Sequence, residues 1–179
     1  MNNEKILAFW FDPKTKPLHF AQSNAFDQLI REQYQAIHSQ ASQCELWQWR
    51  ETIQGRLAEI IILDQFSRNL YRNSPLAFAQ DSLALSLAQE AIRLELDQQL
   101  PPEQRAFLYM PFMHSESKLI HQYALKLFEA LDNPNVLEFE IKHKAIIDRF
   151  GHYPHRNIVL DRISTAEELE FLNQPNSRF

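Results

Sequence analysis

The sequence predicts an all-α protein of antiparallel helix pairs, and three observations carry that expectation. Glycine is scarce: the 179 residues include only Gly55 and Gly151, where average usage would give roughly a dozen. Sheets and barrels need glycine in hairpins, bulges and phosphate turns, and helix bundles need little of it. Apolar residues recur at helical spacing without a convincing strand. Ser74-Pro75 and Asn133-Pro134 each place a capping side chain before a proline, the pattern of a helix start. With 45% hydrophobic residues the chain can build a core, and its length suits a single domain over residues 1–179.

The elements follow in order. Residues 3–11 give a short apolar helix ended by Asp12-Pro13. Ser23 caps a helix to about Ser39 with Phe26, Leu29, Ile30, Tyr34 and Ile37 on one face. Trp47 and Trp49 fall in a connector. Thr52 caps a helix over 52–66 whose run Ile60-Ile61-Ile62-Leu63 is apolar on every side, so this helix should be central. Ser74-Pro75 opens a helix to about Leu94, with one stripe at Phe78, Leu85 and Ile92 and another at Leu76, Leu83, Leu87 and Ala91. Pro101-Pro102 starts a helix that Pro111 interrupts. Ser115 caps the next, with Leu119, Ile120, Tyr123, Leu127, Phe128 and Leu131 as its apolar stripe. Asn133-Pro134 opens a helix to Phe150, ended by Gly151 in the left-handed conformation. Ser164-Thr165, followed by Glu167 and Glu168, caps a last helix to about Asn173.

Charge and cysteine content exclude several classes. Acidic residues outnumber basic ones 23 to 18, for a net charge of −5, which argues against nucleic-acid binding as the main task. Cys44 is the single cysteine, so neither an internal disulfide nor a cysteine zinc site is available. The run ILAFWF near the start is too short for a signal peptide's apolar region or a membrane span. A soluble, cytoplasmic setting with no membrane partner is expected.

One passage is written almost twice. IILDQFSRNLYRN, residues 61–73, aligns with AIIDRFGHYPHRN, residues 145–157, through identical pairs Ile62/Ile146, Asp64/Asp148, Phe66/Phe150, Arg72/Arg156 and Asn73/Asn157. One reading is a duplicated helical hairpin in which each Phe plugs the core and each Arg pairs with its own helix. The other is that both helix ends converge on one cavity. Gln65, Arg68, Asn69, Arg149, His155, Arg156 and Asn157 would then form a basic, amide-bearing pocket, aided by Arg72 and His152. Guanidinium forks hold carboxylate and phosphate bidentately, so such a pocket suits a small anionic ligand or an acidic peptide end.

A third segment, FLYMPFMHSES at 107–117, offers chemistry of its own. A break at Pro111 would turn His114 and Glu116 out of regular helical directions, as a base and an acid or as two ligands of a metal. Against that, Ser115 suits an N-cap and Glu116 a first turn. No HExxH, paired metal-ligand spacing, Gly-rich phosphate loop or GxSxG occurs, so no metal or other cofactor is implied. His143 lies on an apolar stripe and reads as a core histidine. Asp64 and Arg68, at i and i+4, read as an internal ion pair. His19, His38 and His121 show no clustered partners.

Taken together, ILAFWF near the start, LDQFSRNLYR at 63–72, AFLYMPFMHSE at 106–116, RFGHYPHRN at 149–157 and STAEELEFL at 164–172 before a terminal Phe179 resemble the bacterial domain-of-unknown-function family 924. The resemblance covers nearly the whole chain. It implies an all-helical fold similar to tetratricopeptide repeats and implies no assigned activity. The family pattern usually has Pro where this chain has Ser67, and Arg where it has His152. Histidine changes charge near neutral pH, which weakens position 152 as a fixed anion anchor.

Three function classes follow. The leading expectation is a binding module for a small anionic molecule or acidic peptide end. The enzyme alternative uses His114 as base and Glu116 as acid or orienting group, with Arg68 and Arg156 holding the substrate and Asn157 meeting a developing oxyanion. A structural or partner-docking protein is the third, and it would show the arginines in closed ion pairs with exposed apolar surface elsewhere.

Overall fold

Side-chain caps start most of the helices, where backbone N–H groups would otherwise lack acceptors. The computed structural model describes residues 1–175 and 177. Among them every regular element is helical: α1 (Asn3–Trp10), α2 (Asn24–Ser42), α3 (Ile53–Ile61), α4 (Ser67–Leu70), α5 (Asp81–Arg93), α6 (Pro102–Met113), α7 (Lys118–Glu129), α8 (Pro134–Phe150) and α9 (Ala166–Leu172). Ser23, Thr52 and Asn133 cap α2, α3 and α8 as the sequence predicts. Thr165 and Glu168 close a reciprocal capping box on α9. Phe179 lies outside the described residues. No described helix is long and apolar enough to cross a membrane.

The chain divides into two compact units, Met1–Arg72 with Leu76–Pro111, and Asn73–Pro75 with Phe112–Phe179. In the first, α3 packs on α1 and α5, and Leu57, Ile60, Ile61, Ile62, Leu63 and Phe66 are fully buried. The Phe66 ring lies 5.5 Å from Trp10 and 5.0 Å from Tyr34. Gly55 is required by close approach, since a Cβ there would sit 1.9 Å from the Trp49 carbonyl oxygen. The second unit is organised by the antiparallel pair α7 and α8, with Ile146, Ile147 and Tyr153 as a core against which Phe150 and Phe171 pack.

Five expectations change. The central helix does not stop at Phe66: Ile62–Phe66 is a π-helical turn, and α4 continues from it to Leu70. Such a turn inserts a residue without ending the helix. Pro75 opens a single 3₁₀ turn, Pro75–Ala77, and α5 begins at Asp81. Proline fixes φ for any helical turn and does not by itself set how far a helix runs; within α5 the buried positions are Ala84, Leu87, Ala88 and Ala91. Pro111 does not break α6, which passes through it to Met113. It stands in the last turn, so the one hydrogen bond it removes, to the Phe107 carbonyl, falls two residues before the helix ends. Ser117, not Ser115, caps α7 by accepting from Ile120 N–H. The buried face of α7 is His121, Ala124 and Phe128, and Leu119 and Tyr123 are exposed.

Candidate functional site

The first copy of the doubled passage lies almost wholly in the first unit, and its polar side chains are closed onto carboxylates. Asp64 is fully buried. Gln65 Nε2 donates to its Oδ2 at 2.6 Å, and Arg68 Nη1 sits 3.2 Å from its Oδ1. The same guanidinium donates to the Asp64 carbonyl at 2.6 Å and grips both oxygens of Asp81 at 3.1 and 3.2 Å. The π-helical turn and α4 place these groups on consecutive turns, so the Asp64–Arg68 pair expected from sequence is present. Asn69 Nδ2 donates to Asp27 Oδ1 at 2.8 Å, and Arg72 holds Asp27 bidentately at 2.6 and 2.8 Å. Burial raises the Asp27 carboxyl, but the bonds from Arg72 and Asn69 outweigh it and hold the group below the usual carboxylate range.

The second copy lies in the second unit, where Gly151 at φ 78° ends α8. The chain then turns through Tyr153, Arg156 and Asn157. Tyr153 is fully buried, and its hydroxyl donates to the Met113 carbonyl. Arg156 is 6% exposed, lies with its guanidinium 4.6 Å from the Tyr153 ring centre and donates to the His114 carbonyl at 3.0 Å. The rings of His143 and His155 stand 5.7 and 5.5 Å from Tyr153, and His143 is 6.5 Å from His114. Burial pushes His143 down to about 3, so it is neutral, and its Nδ1–H donates to the Phe139 carbonyl at 2.7 Å. Asn157 is buried, with Nδ2 donating to Ser164 Oγ at 3.1 Å. Arg149 is exposed and pairs with Glu167 at 2.7 Å. His152 contacts Glu168 Oε1 at 2.5 Å.

Glu116 has a definite job. It accepts Tyr153 N–H at 2.9 Å and both arms of Arg162 at 3.0 and 2.6 Å. Burial raises its carboxyl, and the hydrogen bonds from Arg162 and Tyr153 outweigh that, so it is held below its usual range. A carboxylate so held carries no proton to donate at neutral pH, which removes the acid role for Glu116.

Sequence reasoning passed over His121 and Glu140. Both side chains are fully buried, with Nδ1 and Oε1 2.8 Å apart, and His121 Nε2–H donates to the Ser115 carbonyl at 2.9 Å. Burial raises the Glu140 carboxyl despite His121, and its Oε2 has no hydrogen-bond partner. Burial thus favours the uncharged acid, the less costly state for an orphaned buried atom. No local signal pairs these residues, because they meet across a helix hairpin. His19 and His38 also have partners: His19 stacks on Trp10 at 4.0 Å, and His38 Nε2 lies 2.7 Å from Ser67 Oγ. Among the described residues no three His, Cys, Asp or Glu side chains group as a metal site.

Comparison with known proteins gives the family. The model of a bacterial protein family of unknown function, DUF924, matches residues 6–176, and the chain belongs to that family. A solved structure titled "Structure of Protein of Unknown Function ATU0120 from Agrobacterium tumefaciens" is 35% identical, with a TM-score of 0.89 over 96% of each chain. No curated protein matches.

Proposed function

We propose that this family member is a helical docking protein that engages a protein partner through the loop following the second passage. The observation that carries this reading is Ile158 and Ile163, 85% and 96% exposed in a loop that is pinned from within. Arg162 anchors the loop to Glu116, its N–H donates to the Asn157 carbonyl at 2.9 Å, and Asn157 reaches Ser164. Burying an isoleucine is worth about 1.5–3 kcal/mol. A loop held in one shape while it presents two such side chains to water is preorganised to place them in an apolar groove of a partner. The ion pairs on Arg68, Arg72 and Arg149 support the same reading, since these charges are already engaged. A photo-crosslinking residue at position 163, used in living cells, tests the proposal. It should give one discrete adduct that Ile158→Ser abolishes and that the same label at exposed Gln22 does not give. Adducts of equal pattern from both positions, or none from 163, would rule the loop out.

A narrower form of the small-anion reading stays as a second proposal because the Arg156 guanidinium stands 4.6 Å from the Tyr153 ring centre, with His155 against the same ring. Its site is Arg156, His155, Asn157 and His114, without Gln65, Arg68, Asn69 or Arg149. Calorimetric titration with phosphate and citrate should show binding that Arg156→Lys weakens at least tenfold, and equal heats from both proteins would end it.

A further inference from the structure

The first unit contains a cleft of about 190 Å³ lined by His38, Ser39, Ser42, Tyr71, Leu76, Ala79 and Gln80. It is built by the C-terminal half of α2, the residue after α4 and the turn before α5. No lysine, arginine, aspartate or glutamate lines it, so it is not made for an ion. Its volume falls below the roughly 300 Å³ at which ordinary ligand pockets begin, which limits an occupant to a small molecule.

The hydrogen bonds around His38 determine what that molecule must offer. Ser67 Oγ has one proton and lies 2.5 Å from the Leu63 carbonyl oxygen, which can only accept. The proton therefore goes to Leu63, and at the 2.7 Å contact between Ser67 Oγ and His38 Nε2 the ring nitrogen must be the donor. In a neutral imidazole the other nitrogen, Nδ1, is then an acceptor. Its neighbour, Ser42 Oγ, is 3.5 Å away and directs its own proton to the His38 carbonyl at 2.9 Å. Burial lowers His38 to about 4, so the ring is neutral under physiological conditions. The Tyr71 ring stands edge-on to His38 at 5.4 Å, and Leu76 and Ala79 complete an apolar wall.

We propose that this cleft binds a small neutral molecule that donates a hydrogen bond, from a hydroxyl or an amide N–H, to His38 Nδ1 and lays its apolar side on Tyr71, Leu76 and Ala79. Nitrogen-15 NMR of the imidazole reads the tautomer directly. It should show the proton on Nε2, and a proton on Nδ1 overturns the proposal. Benzyl alcohol then serves as the probe, with ethylbenzene and benzoate as its donor-free and anionic counterparts. Benzyl alcohol should shift the His38 Nδ1 resonance saturably, and both counterparts should bind roughly tenfold more weakly, the effect of one lost hydrogen bond. Ala79→Phe should fill the cleft and abolish the shift with the helical spectrum intact, a control that leaves the His38 pairing in place. Equal binding of benzyl alcohol and ethylbenzene, absence of a His38 shift, or undiminished binding by Ala79→Phe would each overturn it.

Discussion

Two stretches that read alike, 61–73 and 145–157, do different work. In the first, Asp64 and Phe66 are fully buried, and the helix continues through a π-helical turn so that Arg68, Asn69 and Arg72 meet Asp64, Asp81 and Asp27. In the second, the matching Asp148 is exposed beside Lys144, Phe150 is half-buried, and Gly151 stops the helix. Its Arg156 stands over the Tyr153 ring and holds a backbone carbonyl. The difference begins at one aligned pair. Ser67 continues the helix and bonds to Leu63, whereas Gly151 takes a left-handed conformation that other residues adopt only at a cost. A short motif thus fixes which residue types are present, and the helix after it fixes what they touch.

The contrast can be broken most forcefully at the two aspartates. Asp64→Ala should cost about 3–5 kcal/mol in denaturant unfolding, because it leaves Arg68 and Gln65 facing an emptied buried site. Asp148→Ala should cost under about 1 kcal/mol, as exposed pairs do. Equal losses would mean that the two passages are equivalent after all.

Lowering the pH tests each unit through a buried neutral histidine. His38 and His143 are depressed to about 4 and about 3, so the unfolded chain binds more protons than the folded one below about pH 6.5. Stability should fall as pH drops from there toward 4, by on the order of 2–3 kcal/mol for His38. His38→Phe should remove its share of that slope and leave the part that His143 contributes. Below about pH 4 a further loss should set in as Asp27, whose folded value is depressed, takes up its proton. A flat profile between pH 6.5 and 4 would show that the histidines are not held neutral.

Smaller effects sharpen the comparison at the point where the passages part. Gly151→Ala should cost about 1 kcal/mol through its positive φ. Glu140→Gln should cost less than about 1 kcal/mol, since burial raises the Glu140 carboxyl toward its protonated form and an amide can donate to His121 Nδ1 in its place. A loss of several kcal/mol there would indicate an ionised Glu140.

Helix class, the caps at Ser23, Thr52, Asn133 and Thr165, and the Gly151 stop were legible because each depends on neighbours within four residues. The Asp64–Arg68 pair was legible for the same reason. The continuation past Phe66 was not, since the Ser67 hydroxyl that bonds back to Leu63 gives no periodic signal. Nor were Asp81 and Asp27 as arginine partners, Glu116 as the anchor of Arg162, or His121 with Glu140. Those contacts join residues 13 to 46 positions apart, and only packing selects them. Sequence therefore showed Arg68, Arg72 and Arg149 without Asp81, Asp27 and Glu167, the carboxylates that packing brings to them.

The docking account stands on the rigidity of the loop at 157–164, and amide hydrogen exchange measures it directly. The Arg162 N–H, bonded to the Asn157 carbonyl, should exchange slowly in the native protein and at least roughly tenfold faster in Glu116→Gln, which loosens the Arg162 anchor. Fast exchange of that amide already in the native protein would contradict the account, because Ile158 and Ile163 would then hang on a loose loop and present no fixed surface to a partner.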